Sequence, residues 1–567
     1  MSKRKTYFAD FETTKQNEQG ETRVYLWAIV SGEEEYTGYN IKGCIDFMLN
    51  NTGIYYFHNL KFDFAFILDY LLKHDIIPEI LEKNGLIYSA KFEGVELRDS
   101  LNFMHMTLRE VGENYCQIYK KTSIDYDTPF DHEATDEEKA YCVNDCRVLE
   151  EGFNNYMEAL SEVLKESGAI KTADKIKNRL TNAGVAYSAF KEISNLDKVS
   201  VKTKPAEYRE LRHAYWGGYV YSKPNDITFD VHMLDCNSMY PSVYAEEPMP
   251  VGKGVRCATF KDLKKFNFYI AHVAFGFDLK PGYVPIIGKG YKFMGKTEYQ
   301  TSSNGEIVEF TYCNIDLDLI FRFYDIYNFR FIWGVGYETI PRLFNRYAEI
   351  FSDIKAREKG VKRAAAKVML NSPYGKTAKN GETDIKNYFV DDESNTVKSE
   401  VVATKIDEDG FEYLPIAIAI TAYSRRKLLT TAEKIGFYRV QYMDTDSIKY
   451  TGSTPEGIDI HPTRLGAWKD EGTALMFKTI APKKYIVYME QTKEILGNKI
   501  TSNGISVTCA GFSKAALSQS VGHGYFCNEK TAVKYMLKFD SGLKMPCLQS
   551  KRVSGGRVLL PVEKEIT

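Results

Sequence analysis

An excess of charge of one sign is missing from this 567-residue sequence. Its 74 Lys and Arg are set against 76 Asp and Glu, a net charge of −2. The total therefore announces no polyanionic partner, and any nucleic-acid surface must come from basic residues gathered locally. Cysteine is sparse as well: ten are scattered, with no C-x-x-C pair and no Cys/His cluster at zinc spacing, which excludes a zinc module. Cys142 and Cys146, four apart, are expected to be buried thiols. Long hydrophobic runs are absent too. The most apolar window, Tyr413 to Tyr423, is too short to span a bilayer and ends at Arg425 and Arg426. The opening MSKRKTYFADF passes from basic residues into a strand pattern without the apolar stretch of a secretory signal. No solenoid repeat and no low-complexity segment is visible. These absences predict a soluble protein without membrane contact, in a cytoplasm where thiols stay reduced. A monomer is expected.

What is present is an ordinary globular composition, 44% hydrophobic and 26% charged, in a chain long enough for three or four modules. Residues 1 to about 170 alternate strands with helices (YFADFE, IYYFHN, NLKFDFAFILDYLL), and 171–212 form a mostly helical connector. A tight YWGGY turn at 215–219 leads into a strand around VHMLDCNSMY. Short aromatic strands and Gly-rich turns (GKGYKFMG, SSNGE) fill 250–340. Residues 343–372 are strongly helical and stop at Pro373 and Gly375. Segment 378–412 is polar, with paired strands, and has the character of an insertion. Strands are expected again over 413–450 and 484–510. From 525 to the end, eight Lys and Arg outnumber four Asp and Glu, with a hairpin about 554–556.

Two groups of acids carry chemistry. Asp10 and Glu12 lie two apart on a strand, so both side chains leave one face and repel unless a cation sits between them. Asn59 and Asp63 are four apart in the following helix pattern, and Tyr141 and Asp145 repeat that spacing in KAYCVNDCRVLEEG. Four acids with a tyrosine able to aim a water suit two-metal phosphodiester hydrolysis. A lone D-x-E is commoner as a solvated face; it is the fixed order of three such pairs that points to a site. In the second group, Asp235 lies in DCNSMYP, while Asp444 and Asp446 in YMDTDSIKY fall at the tip of a predicted β-hairpin. Nucleotidyl transfer needs such carboxylates from separate strands, which favours Asp235 and Asp446 with Asp444 close by and the Cys236 carbonyl as a further ligand. Between them, Arg363, Lys367, Asn371 and Tyr374, spaced 4, 4 and 3, share one helical face suited to a triphosphate and a stacked base. Lys355, a little over three turns upstream, adds a phosphate contact.

The first three pairs resemble the exonuclease motifs D-x-E, N-x₃-D and Y-x₃-D of DNA polymerase proofreading domains. The later segments resemble motifs A, B and C of family B DNA polymerases (D-x₂-S-x-Y-P, K-x₃-N-S-x-Y-G and Y-x-D-T-D). Reverse transcriptases usually carry Y-x-D-D at that hairpin. The Y-x-G-G turn (Tyr215, Gly217, Gly218), T-A-x-x-R (Thr421, Arg425) and K-x-Y (Lys483, Tyr485) are similar to those of the protein-primed branch of small phages and linear plasmids. The resemblance runs from residue 7 almost to the C-terminus.

It implies an α/β and α+β multidomain chain, with an RNase H-like exonuclease domain and a right-hand polymerase (palm, fingers, thumb) carrying two insertions. The expected divisions are 1–185 exonuclease, 186–246 first part of the palm, 247–342 terminal-protein-type insertion, 343–377 fingers, 378–413 second insertion, 414–524 second part of the palm, and 525–567 thumb. It implies two Mg²⁺ ions per site, replaceable by Mn²⁺, held by Asp235, Cys236 and Asp446 in one site and by Asp10, Glu12, Asp63 and Asp145 in the other. It implies that Lys121 assists hydrolysis. Tyr240 would exclude a ribose hydroxyl, and Ser238, Lys355, Lys367, Asn371 and Tyr374 would complete the dNTP pocket. Thr13, His58, Asn59, Phe62, Phe66, Ser100 and Leu101 would touch single-stranded DNA. Tyr215, Gly217, Gly218, Thr421, Arg425, Lys483 and Tyr485 would hold primer and template. The implied partners are primer–template DNA, single-stranded DNA, dNTPs and a terminal primer protein. The insertions would confer processivity and strand displacement. Two positions depart from the pattern: Pro373 stands where N-S-x-Y-G has an aliphatic residue, and Ser123 where some relatives carry an acid. The rival functions are a processing nuclease and a non-catalytic replisome protein. The latter would have lost an acid, and none is missing.

Overall fold

The computed structural model describes residues 4–83, 85–124, 128–288, 299–495 and 498–567. The expected GKGYKFMG turn begins at Gly288, and the rest of it lies outside the described residues.

The N-terminal part is built on a seven-stranded mixed sheet. Its spatial order is Glu34–Gly38, Val24–Ser31, Thr6–Thr13, Ile54–Phe57, Val95–Asp99, Leu86–Phe92, Glu79–Lys83. The middle three strands run parallel, and the strands outside them pair antiparallel. Alternation sends Tyr7, Ala9 and Phe11 into a core with Phe64 and Ile67 of helix Leu60–Lys73. Phe8 goes to the opposite face and packs with Leu149 and Phe153 of the long helix Asp136–Glu166. That helix starts at a capping box, in which the Thr135 hydroxyl accepts from the Glu138 N–H and the Glu138 carboxylate accepts from the Thr135 N–H.

The central sheet is wholly antiparallel among its described pairs, in the order Asn498–Cys509, Lys484–Ile495, Trp468–Ala481, Thr228–Cys236, Ser447–Thr451, Val440–Asp444, Val220–Ser222. Leu234, Met443 and Ile448 face the helices Met239–Glu246 and Leu414–Ile435, while Met233 and Tyr442 join Phe477 on the other face. A four-stranded sheet (Met249–Cys257, Tyr324–Ile340, Phe268–Leu279, Val308–Cys313) and two separate hairpins (Glu382–Asp391 with Thr396–Ile406, Lys544–Val553 with Gly556–Glu565) complete the β structure. No helix among the described residues is long and apolar enough to cross a membrane.

Several local expectations are corrected. The strand predicted from residue 413 is the 22-residue helix Leu414–Ile435. Alternating Ile and Ala imitate a strand, but every residue from Leu414 to Arg425 is buried, so no polar face marks the 3.6-residue period. The single helix expected over 343–372 is two, Asn345–Arg357 and Gly360–Asn371, broken at Glu358 and at Gly360 with φ of 53°. Strands of 250–340 are long rather than short, up to 17 residues, and helix Asn314–Phe323 interrupts them. The strand through VHMLDCNSMY ends at Cys236, and a helix begins at Met239. The C-terminal hairpin turns at 554–555, as expected.

Candidate active sites

The first acid cluster forms where strand Thr6–Thr13 meets helix Asp136–Glu166. Asp10, Glu12 and the Cys142 thiol present ligand atoms all within 4.8 Å of one another. Burial raises the Cys142 thiol well above its ordinary range and keeps it protonated, and Sγ donates to the Asp10 carbonyl at 3.6 Å. The ligand set is therefore the acids. Burial, and then the charge of Asp145, push Asp10 up to about 7; burial, and then Asp10, push Glu12 up to about 9. Asp63 is raised for the same two reasons, burial and Asp10. Lys121 Nζ donates to the Tyr141 hydroxyl at 2.8 Å and pairs with Asp145 Oδ2, while Asp145 Oδ1 is buried with no hydrogen bond among the described residues. Crowded carboxylates and an orphaned oxygen are what a cation would satisfy, so these residues fit a divalent-metal site.

Asn59 is not on the helix with Asp63, as expected from spacing. It precedes the helix in a left-handed conformation, φ 70°, and its N–H donates to Asp99 Oδ1 at 3.0 Å. Asp99 also accepts from the Leu101 N–H at 2.9 Å, tying the two expected single-strand contacts together. The motif reading missed Asp99; its only signal was an acid at the end of a strand, just before Ser100 and Leu101. His58 Nε2 lies 2.8 Å from the Met106 carbonyl and Nδ1 3.0 Å from Ser100 Oγ; burial lowers its pKa to about 4, so the ring is neutral. Thr13, Phe62 and Leu101 remain partly exposed. Two expected DNA contacts are corrected. Ser100 is fully buried, and its hydroxyl donates to the Phe57 carbonyl. Phe66 is 1% exposed, covered by Gly556, where a Cβ would lie 2.3 Å from its ring.

The second cluster lies in the central sheet. Asp235, the last residue but one of strand Thr228–Cys236, lies opposite Ser447, and the Cys236 N–H donates to the Asp446 carbonyl at 2.7 Å. These contacts bring residues 211 apart in the chain side by side. Thr445, φ 55°, occupies the tip between Asp444 and Asp446, as predicted for the hairpin. Burial, and then Asp446, push Asp235 up to about 6; burial, and then Asp444, raise Asp446. Asp444 is engaged differently, pairing with Lys483 Nζ at 2.7 Å and accepting from the Tyr442 hydroxyl at 3.2 Å. The two acids chosen from the sequence are thus the two without an ion-pair partner among the described residues, and they fit a cation between them.

Ser238, φ 54°, starts helix Met239–Glu246, and its hydroxyl accepts from Lys355 Nζ at 3.3 Å. Lys355 therefore reaches the site from the separate helix Asn345–Arg357, and Arg363 Nη1 clamps that helix by donating to the Lys355 carbonyl at 2.6 Å. Burial, and then the charges of Lys367 and Arg363, lower the Lys355 pKa. Among the described residues Lys355, Arg363 and Lys367 form no ion pair, and three such cations suit a polyphosphate. Asn371 Nδ2 donates to the Lys367 carbonyl, and Pro373 ends this helix as predicted. Tyr374, beyond the break, nevertheless stacks on Tyr240, with centroids 4.1 Å apart and rings at 25°.

The Y-x-G-G loop lies against the D-T-D tip. The Thr445 N–H donates to the Tyr219 carbonyl at 2.8 Å, and a Cβ on Gly218 would fall 2.3 Å from Thr445 Oγ1, so only glycine allows the approach. Gly217 is exposed with open space around it, and Tyr215 is partly exposed under Arg212. Thr421 and Arg425, expected to touch DNA, are corrected to internal supports. Thr421 is 1% exposed and its hydroxyl donates to the Ala417 and Ile418 carbonyls of its own helix. Arg425, 8% exposed, pairs with Asp316 at 2.6 Å and donates to the Trp216 and Gly217 carbonyls at 2.8 Å. Asp316 had no sequence signal, since its partner is 109 residues away.

Two carboxylate pockets thus stand on two sheets, one beside a tyrosine–lysine pair and one beside a cationic helix pair, in a multidomain chain of mixed helices and sheets. The chain matches the profile of the organellar and viral type B DNA polymerases over residues 44–132 and 127–464, and it belongs to that family. The DNA polymerase of Bacillus phage M2 is 29% identical over 553 residues, covering 90% of this chain and 92% of that one. The DNA polymerase of Streptococcus phage Cp-1 is 26% identical, covering 85% and 88%. The structure of phi29 DNA polymerase complexed with primer–template DNA and incoming nucleotide substrates matches with a TM-score of 0.85 at 25% identity, over 100% of both chains. The phi29 complex with single-stranded DNA matches with a TM-score of 0.83 at 25% identity. These relatives lie in the phage branch to which the Y-x-G-G, T-A-x-x-R and K-x-Y segments pointed.

Proposed function

We propose that this type B DNA polymerase copies a DNA template by two-metal nucleotidyl transfer and edits its product by 3′→5′ hydrolysis at a separate site. The observation that carries this is the pair of distinct cages, with Asp235 locked beside Asp446 on the central sheet and Asp10 beside Glu12 and Asp145 on the N-terminal one. In this reading Asp235, Asp446 and the Cys236 carbonyl hold two Mg²⁺ ions, with Mn²⁺ a substitute; Asp10, Glu12, Asp63 and Asp145 hold the second pair. Such ions supply Lewis-acid stabilisation of phosphoryl oxygens and a more acidic attacking hydroxyl or water.

The chain's own groups do the rest. Lys355, Arg363 and Lys367 receive the triphosphate, with Ser238 and Asn371 beside them. The Tyr240–Tyr374 stack forms a rigid wall against which a deoxyribose fits and a 2′-hydroxyl does not. Lys483 and Tyr485 hold the primer end next to Asp444, while Tyr215 and Gly217 meet the template. At the other site, Lys121 orients Tyr141 toward the water. His58, Phe62, Leu101 and Thr13 line the path of the single strand. The DNA and nucleotide partners are those named for the phi29 structures, carried to this chain on the matching geometry.

The proposal extends to priming by a terminal protein at the 247–342 insertion and to strand displacement. Supporting the latter, hairpin 382–406 reaches across to the N-terminal sheet, where Glu82 accepts from Lys386 and Tyr388. Beside it lies a cleft of about 870 Å³ whose rim includes Lys83, Lys175, Arg179, Lys376 and Lys379, suited to one template strand.

The test uses purified protein with Mg²⁺, a primed template and a single-stranded oligonucleotide. Asp235→Asn or Asp446→Asn should lower dNTP incorporation by about 1,000-fold and spare single-strand degradation; Asp10→Asn with Glu12→Gln should do the reverse. Incorporation surviving both palm substitutions would remove the nucleotidyl-transfer assignment. Degradation surviving the second pair would remove the editing site.

A further inference from the structure

The palm sheet contains a cation that no motif assigns. Lys449 lies on strand Ser447–Thr451, opposite Tyr442 on one side and Met233 on the other. Residues paired across a sheet share a face, so Lys449 stands on the same face as Asp235 and Asp444. It is only 6% exposed. Among the described residues its ammonium has no carboxylate partner. Instead it sits 5.2 Å from the ring centre of Tyr442 and 4.6 Å from that of Tyr485, rings that themselves lie 4.9 Å apart.

Burying an ammonium without an anion is costly, and aromatic faces return only part of that cost. What completes the balance is the surrounding negative charge. Asp444 is already paired with Lys483, whereas Asp235 and Asp446 are not paired, and Lys449 acts favourably on both through space. The same two rings connect the cation to the expected primer grip. The Tyr442 hydroxyl accepts from the Lys483 N–H at 3.0 Å and donates to Asp444, and the Tyr485 ring also lies 5.7 Å from Phe477, which in turn is 6.5 Å from Tyr442. The Tyr485 backbone is fixed by its two neighbouring strands, but among the described residues its hydroxyl makes no hydrogen bond.

We infer that Lys449 is a positioning residue of the polymerising centre, its ammonium fixing Tyr485 against the D-T-D hairpin so that the primer strand is held at the acid pair. This rests on the polymerase–exonuclease reading above. Loss of the cation frees Tyr485 and lets the primer end leave the palm more often. It does not disturb the hydrolytic site, which lies on another sheet. The primer then partitions toward degradation.

The experiment measures, on one paired primer–template, the dNTP concentration at which extension balances degradation, together with degradation of a single-stranded oligonucleotide. Lys449→Met should raise the balancing concentration about thirty-fold, the scale of one desolvated cation–π contact, and leave single-strand degradation as in the parent. Lys449→Arg, which keeps a cation able to lie on the rings, should restore it to within about two-fold. In a Tyr485→Leu background, Lys449→Met should add less than about two-fold, because the residue acts through that ring. Lys449→Gln repeats the comparison if the methionine variant does not fold. An unchanged balance in Lys449→Met, equal impairment in Met and Arg variants, or full additivity with Tyr485→Leu overturns the inference. A parent protein that fails to extend or to degrade overturns the underlying reading instead.

Discussion

Asp10 and Glu12 leave one face of a strand into a buried space, where burial first, and then the charge of Asp145 on Asp10 and of Asp10 on Glu12, raises their affinity for protons. Their pKa values of about 7 and about 9 exceed the ordinary carboxylate range, so between about pH 4 and 9 the folded chain holds protons that the unfolded chain has lost. Stability rises with pH only where the unfolded state binds more protons; here the sign is opposite. Without divalent ions, the apparent melting temperature should therefore fall by roughly 5 °C from pH 5 to pH 9, and Mg²⁺ should restore it most at the high end. Asp10→Asn should flatten the dependence in a chelator-containing melt, and an equally steep profile would remove the carboxylates as its source. The acids themselves were legible from spacing, because the two-residue Asp10–Glu12 interval and the four-residue Tyr141–Asp145 interval translate directly into shared faces, although the Asn59–Asp63 interval does not. Asp99 and Lys449 were not. Their roles depend on an N–H and on two rings brought to them by other strands.

Helix Leu414–Ile435 shows where pattern reading of elements fails. Its first twelve residues are all buried, and a helix without a wet side displays no amphipathic period. The same burial turns T-A-x-x-R from a DNA contact into a strut: Arg425 spans from the helix to Asp316 and to the Y-x-G-G loop. Arg425→Met should cost about 3–5 kcal/mol by stranding Asp316, seen as a lower melting temperature. Adding Asp316→Leu should recover most of that stability but not the affinity for primer–template, because the loop carbonyls remain unheld. Recovery of both would reduce the arginine to a packing role. The break at Glu358 was equally hidden. The chain turns at Gly360, φ 53°, and so brings Lys355 and Lys367 near one another from two helices.

Across the whole molecule, the C-terminal hairpin closes onto the N-terminal unit and onto hairpin 382–406, where Arg552 Nη1 donates to the Val397 carbonyl at 3.2 Å. The Ser554 carbonyl accepts from the Thr22 N–H at 3.0 Å, and its hydroxyl accepts from Asn395 at 2.9 Å. Gly555 and Gly556 make the approach possible; added Cβ atoms would strike the Thr22 carbonyl at 2.1 Å and the Phe66 ring at 2.3 Å. Gly556→Val should undock this junction, exposing helix Leu60–Lys73 to faster amide exchange and shortening the product made per binding event. Unchanged exchange there would mean the contact is dispensable.

By itself the sequence determined the two acid groups, the D-T-D hairpin, the helix stop at Pro373 and the mixed architecture. Each of these follows from side-chain period, turn chemistry or motif order within a short span. Only the tertiary structure decided which acids lack an ion-pair partner, which expected DNA contacts are internal struts, and how Lys355, Asp316 and Lys449 take part. Those outcomes depend on burial and on partners tens to hundreds of residues away, and local spacing carries no record of either.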